Sequence, residues 1–161
     1  MVTDFQRLID ALAENRVEFV IIGAVALVLH GSARVTQDLD ICYARNPENL
    51  ERLAAAVAPF RPSLRGAPPG LPFTLDARSL QAGLNFTLTC EPGDFDILGE
   101  VQGVGGYEQV SADAVPMEVY GHRVLVMSLT ALQKAKRSAG RLKDLPDLEE
   151  IEKLLRGSQP D

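Results

Sequence analysis

The chain has 161 residues, 46% of them hydrophobic and 24% charged, proportions that suit one domain with its own core and exclude disordered, collagen-like and coiled-coil chains. A formal net charge of −6 excludes whole-molecule attraction to polyanions, so binding a nucleotide or nucleic acid requires a local basic cluster or a bridging cation. Two cysteines, Cys42 and Cys90, are too few for a disulfide framework. With no secretory leader and no apolar run approaching the roughly twenty residues of a membrane helix, the expectation is a soluble, cytoplasmic protein with no membrane partner.

In chain order, Phe5, Leu8, Ile9 and Leu12 recur at helical spacing behind Thr3 and Asp4 and predict an amphipathic helix over about 3–15. Val17 to Ile22 is β-branched and nearly all apolar, a central strand that Gly23 ends. Ala24 to His30 predicts a short helix stopped by Gly31, and residues 37–43 alternate polar and apolar as a strand with one buried face does. Asn46 caps a helix over Pro47 to Val57, with Pro47 at its first position. RPSLRGAPPGLP at 61–72 cannot be an element interior and predicts a loop, either a functional flap or a mobile insertion. Leu84 to Cys90 and Phe95 to Leu98 then predict a hairpin, with Asp94 as an acid of its turn. Val115 to Tyr120 and His122 to Met127 predict a second hairpin joined by Gly121, and two helices over about 128–138 and 141–155 close the chain. The order predicts an α/β (α+β) fold over 1–161, a single mixed sheet flanked by helices, with a core of about 3–127 and a C-terminal helical pair at about 128–156.

The least ordinary feature is Asp38-Leu39-Asp40 inside an apolar strand. Residues i and i+2 face the same way, so two carboxylates project together while Leu39 and Ile41 enter the core. Such a pair repels itself unless a cation lies between, and oxygen-only ligands suit Mg²⁺ or Mn²⁺. The alternative is a solvated strand face. Gly23, ending a strand and opening a helix, stands where bare backbone N–H groups can meet a phosphate, or is simply a tight turn. Lys134, Lys136, Arg137, Arg141 and Lys143 crowd five basic residues into ten positions, either an anion site or a solvated helix end complementing its dipole. Gly103-Val104-Gly105-Gly106 lacks a dinucleotide-binding context and reads as a loop. His30 and His122 are isolated and support no zinc site, and Cys42 reads as a buried structural thiol.

The combination of Ile22-Gly23-Ala24, thirteen residues, and Asp38-Leu39-Asp40-Ile41 resembles the signature of nucleotidyltransferases of the DNA polymerase β-like superfamily. Ala24 departs from the Gly or Ser that this family prefers. The finer pattern IGAVALVLHGSARVTQDLDI, with FDILGEVQGVGGYE and LQKAKRSAGRLKDLPDLEEIE, resembles the small bacterial branch containing the AbiEii-type toxins. The resemblance implies the nucleotidyltransferase fold, transfer of an NMP from an NTP, and a third carboxylate from a neighbouring strand, Asp96, with Asp94 its rival. It implies Mg²⁺ (or Mn²⁺) held by Asp38 and Asp40, with a second ion shared with Asp96. It places Lys136 before the triphosphate and adds Gly23, Ala24, Arg34, Thr36, Arg141 and Lys143 as nucleotide-binding positions. The implied acceptor is RNA such as tRNA, or protein, with an antitoxin protein as a partner of a toxin. An aminoglycoside-type small-molecule acceptor and a degenerate, non-catalytic nucleotide-binding domain are the alternatives.

Overall fold

The computed structural model describes residues 2–68 and 70–157; the outermost residues of the expected 1–161 span, and Pro69 in the expected loop, lie outside them. Helix α1 (Phe5–Glu14) starts at Asp4, whose carboxylate accepts the Arg7 N–H at 3.1 Å, and buries Leu8, Ile9 and Leu12. Strand β1 (Phe19–Ile22) is buried at every position and runs directly into α2 (Gly23–Leu29). In β2 (Asp38–Tyr43), Leu39 and Ile41 are fully buried while Asp38 and Asp40 stay partly exposed, as the alternation requires. Asn46 caps α3 (Pro47–Val57).

The middle of the chain holds β3 (Ser63–Leu64), α4 (Ala77–Ala82), β4 (Asn85–Cys90), β5 (Gly93–Leu98), β6 (Glu100–Val101), β7 (Gly105–Gly106) and α5 (Tyr107–Ala112). It is followed by the hairpin β8 (Val115–Val119) and β9 (His122–Val126), then α6 (Leu129–Ala139) and α7 (Leu145–Gly157). Seven strands form one mixed sheet in the order β3-β4-β5-β2-β1-β9-β8. β2 runs parallel to β5 and β1 parallel to β9, and the remaining neighbours are antiparallel. α1 packs on α3 and α3 on α4, while α2 packs on β1, β2 and α6, and α6 on α7. This is the mixed sheet with flanking helices that the element order predicts.

Four local differences have physical causes. The Pro- and Gly-rich stretch is not wholly a loop, because Ser63 and Leu64 pair with Thr89 and Leu88 as an edge strand. Asp94 is not a turn acid: the turn falls on Glu91 and Pro92, and Asp94 pairs within β5. Gly105 and Gly106 pair with Val101 and Glu100, so the glycine run includes a short strand. The last helix starts at Leu145 rather than Arg141, after a 3₁₀ turn at Leu142–Asp144. Among the described residues no helix is long and apolar enough to cross a membrane.

Asn49, fully buried on α3, locks this arrangement. Its Oδ1 accepts the Glu18 N–H at 2.7 Å, and its Nδ2 donates to the Glu18 and Ala44 carbonyls at 3.1 and 2.7 Å. One side chain thereby ties the residue before β1 to the residue after β2. Asn49→Leu removes all three bonds, leaving the Glu18 N–H and the Ala44 carbonyl without this partner, and is expected to cost roughly 2–4 kcal/mol in urea denaturation, whereas a change near zero would show that these bonds carry no stability.

Candidate functional site

Pairing register gathers the acids. β2 lies between β1 and β5, with Asp38 opposite Asp94 and Asp40 opposite both Asp96 and Ile22. Directly opposed residues share a sheet face, so four carboxylates stand together, and β4 extends the polar face with Thr87 opposite Asp96 and Thr89 opposite Asp94. Gly23 closes the other side. Its φ of +67° is left-handed, and a Cβ there would lie 2.4 Å from Asp40 Oδ2. Both the turn and the close approach therefore require glycine.

Asp40 carries the cost of this crowding. Burial, then the charge of Asp96, the hydrogen bond shared with Asp96 and the charge of Asp38 push its carboxyl up from 3.8 to about 7, with Arg65 opposing. Arg65, which the sequence leaves unmarked inside the Pro/Gly stretch, donates from Nη2 to Asp96 Oδ1 at 2.7 Å and to the Leu88 carbonyl at 2.6 Å. Its Nε lies 3.4 Å from Asp94 Oδ2.

Asp40 and Asp96 line a cleft of about 470 Å³ together with Ile22, Gly23, Leu98, Lys136, Ala139 and Arg141. Met127 and Leu132 add apolar lining. The cations come paired. Lys136 Nζ lies 3.3 Å from Asp144 Oδ1 and 3.2 Å from Asp147 Oδ2, Arg141 Nε donates to Asp144 Oδ2 at 2.7 Å, and Arg34 Nη1 donates to Asp147 Oδ1 at 2.6 Å. The Arg141 hydrogen bond, helped by Lys136 and opposed by desolvation, holds the buried Asp144 carboxyl below its ordinary value. Asp144 and Asp147 thus organise Lys136, Arg141 and Arg34 into one network, roles with no signal in the sequence beyond two acids near five cations.

Of the expected site residues, Gly23, Asp40, Asp96, Lys136 and Arg141 line this cleft, whereas Asp38, Ala24, Arg34, Thr36 and Lys143 do not. Asp38 lies two residues from Asp40 on the same strand face. Ala24 sits half-exposed in the first turn of α2, Thr36 Oγ1 donates to the Asp38 carbonyl at 3.4 Å, and Lys143 points to solvent in the 3₁₀ turn. Cys42 is fully buried, and desolvation pushes its thiol up to about 12, as a structural thiol requires. His122 Nε2 pairs with Asp10 Oδ1 at 2.8 Å and His30 Nε2 with the Met127 carbonyl at 2.8 Å.

Among the described residues no three His, Cys, Asp or Glu side chains form a ready-made metal cage. The carboxylates of Asp38 and Asp40, with Asp96 beside them, nevertheless fit a hard divalent cation. They offer only carboxylate oxygens on one sheet face, and Mg²⁺ is ordinarily held by one or two carboxylates with phosphate oxygens completing its shell.

No family model and no curated protein matches the sequence. Solved structures do match the fold. TM1012 of Thermotoga maritima, assigned as a nucleotidyltransferase, aligns over 92% of this chain and 90% of its own with a TM-score of 0.57 at 16% identity. ANT(2″)-Ia, solved in complex with adenylyl-2″-tobramycin, aligns over 94% and 87% with a TM-score of 0.57 at 15% identity. The fold is the nucleotidyltransferase fold.

The raised carboxyl of Asp40 sets a pH dependence. A group that holds its proton more tightly folded than unfolded favours the folded state while that proton stays bound, so stability falls as pH rises from about 4 through about 7. Asp40→Asn is expected to remove that decline, adding roughly 1–3 kcal/mol at pH 8 in the presence of chelator and almost nothing at pH 4. Urea denaturation of both proteins at pH 4, 6 and 8 measures it, and parallel curves would refute the crowding.

Proposed function

We propose that this chain is a divalent-cation-dependent nucleotidyltransferase that moves an NMP from an NTP to an acceptor hydroxyl. The observation that carries the reading is the meeting, in one cleft, of Asp40 and Asp96 with Lys136 and Arg141. A nucleoside triphosphate needs both signs at once: cationic side chains for its own oxygens, and carboxylates for the metal ion that travels with it. The likeness to two nucleotidyltransferase structures adds support at the level of the fold.

In this mechanism Asp38 and Asp40, with Asp96 beside them, would hold Mg²⁺ or Mn²⁺. The cation, when bound, supplies charge stabilisation to the α-phosphate and the departing pyrophosphate. Lys136 and Arg141 grip triphosphate oxygens, their own positions fixed by Asp144 and Asp147. Gly23 lets the backbone pass close beside Asp40, leaving the space that a side chain would fill. Asp96 takes the proton from the acceptor hydroxyl as its oxygen bonds to the α-phosphorus. The bond from that phosphorus to the bridging oxygen breaks, and pyrophosphate carries away the electron pair. Ala24, Arg34, Thr36 and Lys143 belong to this reading as outer contacts to the nucleotide or acceptor.

RNA such as tRNA, or protein, is the acceptor we favour, in keeping with the resemblance of residues 22–41 to toxin-type enzymes, and an antitoxin protein is the partner this implies. A second reading has one observation of its own: ANT(2″)-Ia, a fold neighbour, is solved with an adenylylated aminoglycoside, which favours a small-molecule acceptor.

Incubating the purified chain with each α-labelled NTP, Mg²⁺ or Mn²⁺, and cellular RNA, protein or an aminoglycoside panel tests the proposal. Label is expected in one acceptor class, and Asp38→Ala or Asp40→Asn is expected to lower it by roughly a hundredfold or more. Unchanged labelling by Asp40→Asn would refute the carboxylate mechanism. Nucleotide binding without label in any arm would instead identify a non-catalytic binding domain.

A further inference from the structure

The four carboxylates on the β2–β5 face divide into two kinds. Asp94 and Asp96 share a cation already built into the chain, Arg65. Asp38 and Asp40 have no ion-pair partner among the described residues. Edge strand β3 delivers Arg65: its own N–H donates to the Thr87 carbonyl at 2.9 Å, and Gly66, at φ +82°, turns the chain away immediately after it. The side chain then reaches over β4, where Nη2 donates to the Leu88 carbonyl at 2.6 Å, and ends on Asp96 Oδ1 at 2.7 Å with Nε 3.4 Å from Asp94 Oδ2. Thr89 Oγ1 donates to the other Asp94 oxygen at 3.2 Å. A guanidinium gripped by acceptors on two strands, and unable to lose its charge, is a fixed cation.

We propose that Arg65 is the second cation of this site: its guanidinium occupies the place on Asp96 that a second divalent ion would take, so the chain binds one divalent ion, at Asp38 and Asp40. The proposal rests on the reading of these carboxylates as a divalent-cation site. A second ion sharing Asp96 would sit beside a permanent positive charge and compete for Oδ1 with a hydrogen bond already made. Arg65 is in this sense a positioning residue. It holds Asp96 oriented beside Asp40, and its substitution opens a metal position rather than merely closing one.

Mn²⁺ alone, titrated into the purified chain and followed by electron paramagnetic resonance, tests this. The wild type is expected to take up one Mn²⁺ with an uncoupled spectrum. Arg65→Ala and Arg65→Gln are expected to take up two, with the spin coupling of ions a few ångströms apart, while Arg65→Lys stays at one. Arg65→Gln retains a donor for the Leu88 carbonyl, and circular dichroism of each variant confirms that its fold is kept. Two coupled ions in the wild type would overturn the role of Arg65 while leaving the cation reading intact. One ion in every Arg65 variant would overturn it as well. No Mn²⁺ bound by any protein would overturn the cation reading and this inference together, and Asp40→Asn, expected to lose the wild-type ion, shows that the counted ion sits at the carboxylates.

Discussion

The site depends on the register of β2 between its two neighbours. Asp40 faces Asp96 on one side and the end of β1 on the other, with Gly23 pressed against its oxygen. A slip of one residue on either strand would turn these carboxylates into the core and bring Leu39 and Ile41 out to water. Register is therefore held by the apolar half of the same strand, whose Leu39 and Ile41 are fully buried, and by Asn49, which joins the chain before β1 to the chain after β2. Core packing sets the spacing of the charges, and the charges in turn oppose folding, since Asp40 is pushed up to about 7 by its surroundings. A protein that keeps such a pair gives up stability at neutral pH, a pattern found where charge is concentrated for binding or chemistry.

What could be read from the sequence was what lies within one element or one turn. The period-2 alternation of residues 37–43 put Asp38 and Asp40 on a common face, and Asn46 with Pro47 marked the start of α3. Gly23 was legible because strand, glycine and helix follow one another directly. The hairpin after residue 84 was visible, but its turn was misplaced toward Asp94, since Pro92-Gly93-Asp94 is turn chemistry whichever residue opens the strand. α4 and α5, six residues each, are too short to show periodicity.

The rest of the site is long-range and left no local trace. That Asp96 lies opposite Asp40 follows from parallel pairing across 56 positions, and only the family resemblance pointed to it. Arg65 was hidden in a stretch whose prolines and glycines read as loop, because a two-residue edge strand carries too little pattern to be seen. The basic cluster was counted correctly and understood incompletely. Lys136, Arg141 and Arg34 are not free cations but members of a network with Asp144 and Asp147, and Asp144 is buried within it.

That network bears on what the cleft would select under the proposed function. If Lys136 and Arg141 stood unpaired, the −6 chain would present an anion trap open to any phosphate. Instead each is partly neutralised by a neighbouring acid, and Asp40 and Asp96 add negative charge in the same cleft. A bare triphosphate entering this space meets repulsion from the carboxylates as well as attraction from the cations. Under the proposed function, a triphosphate arriving with its divalent ion would satisfy both, the carboxylates serving the ion and Lys136 and Arg141 the free oxygens. Under the proposed function, charges of both signs in one cleft would favour the metal complex over the naked anion, through side chains drawn from β2, β5, α6 and the turn that leads into α7.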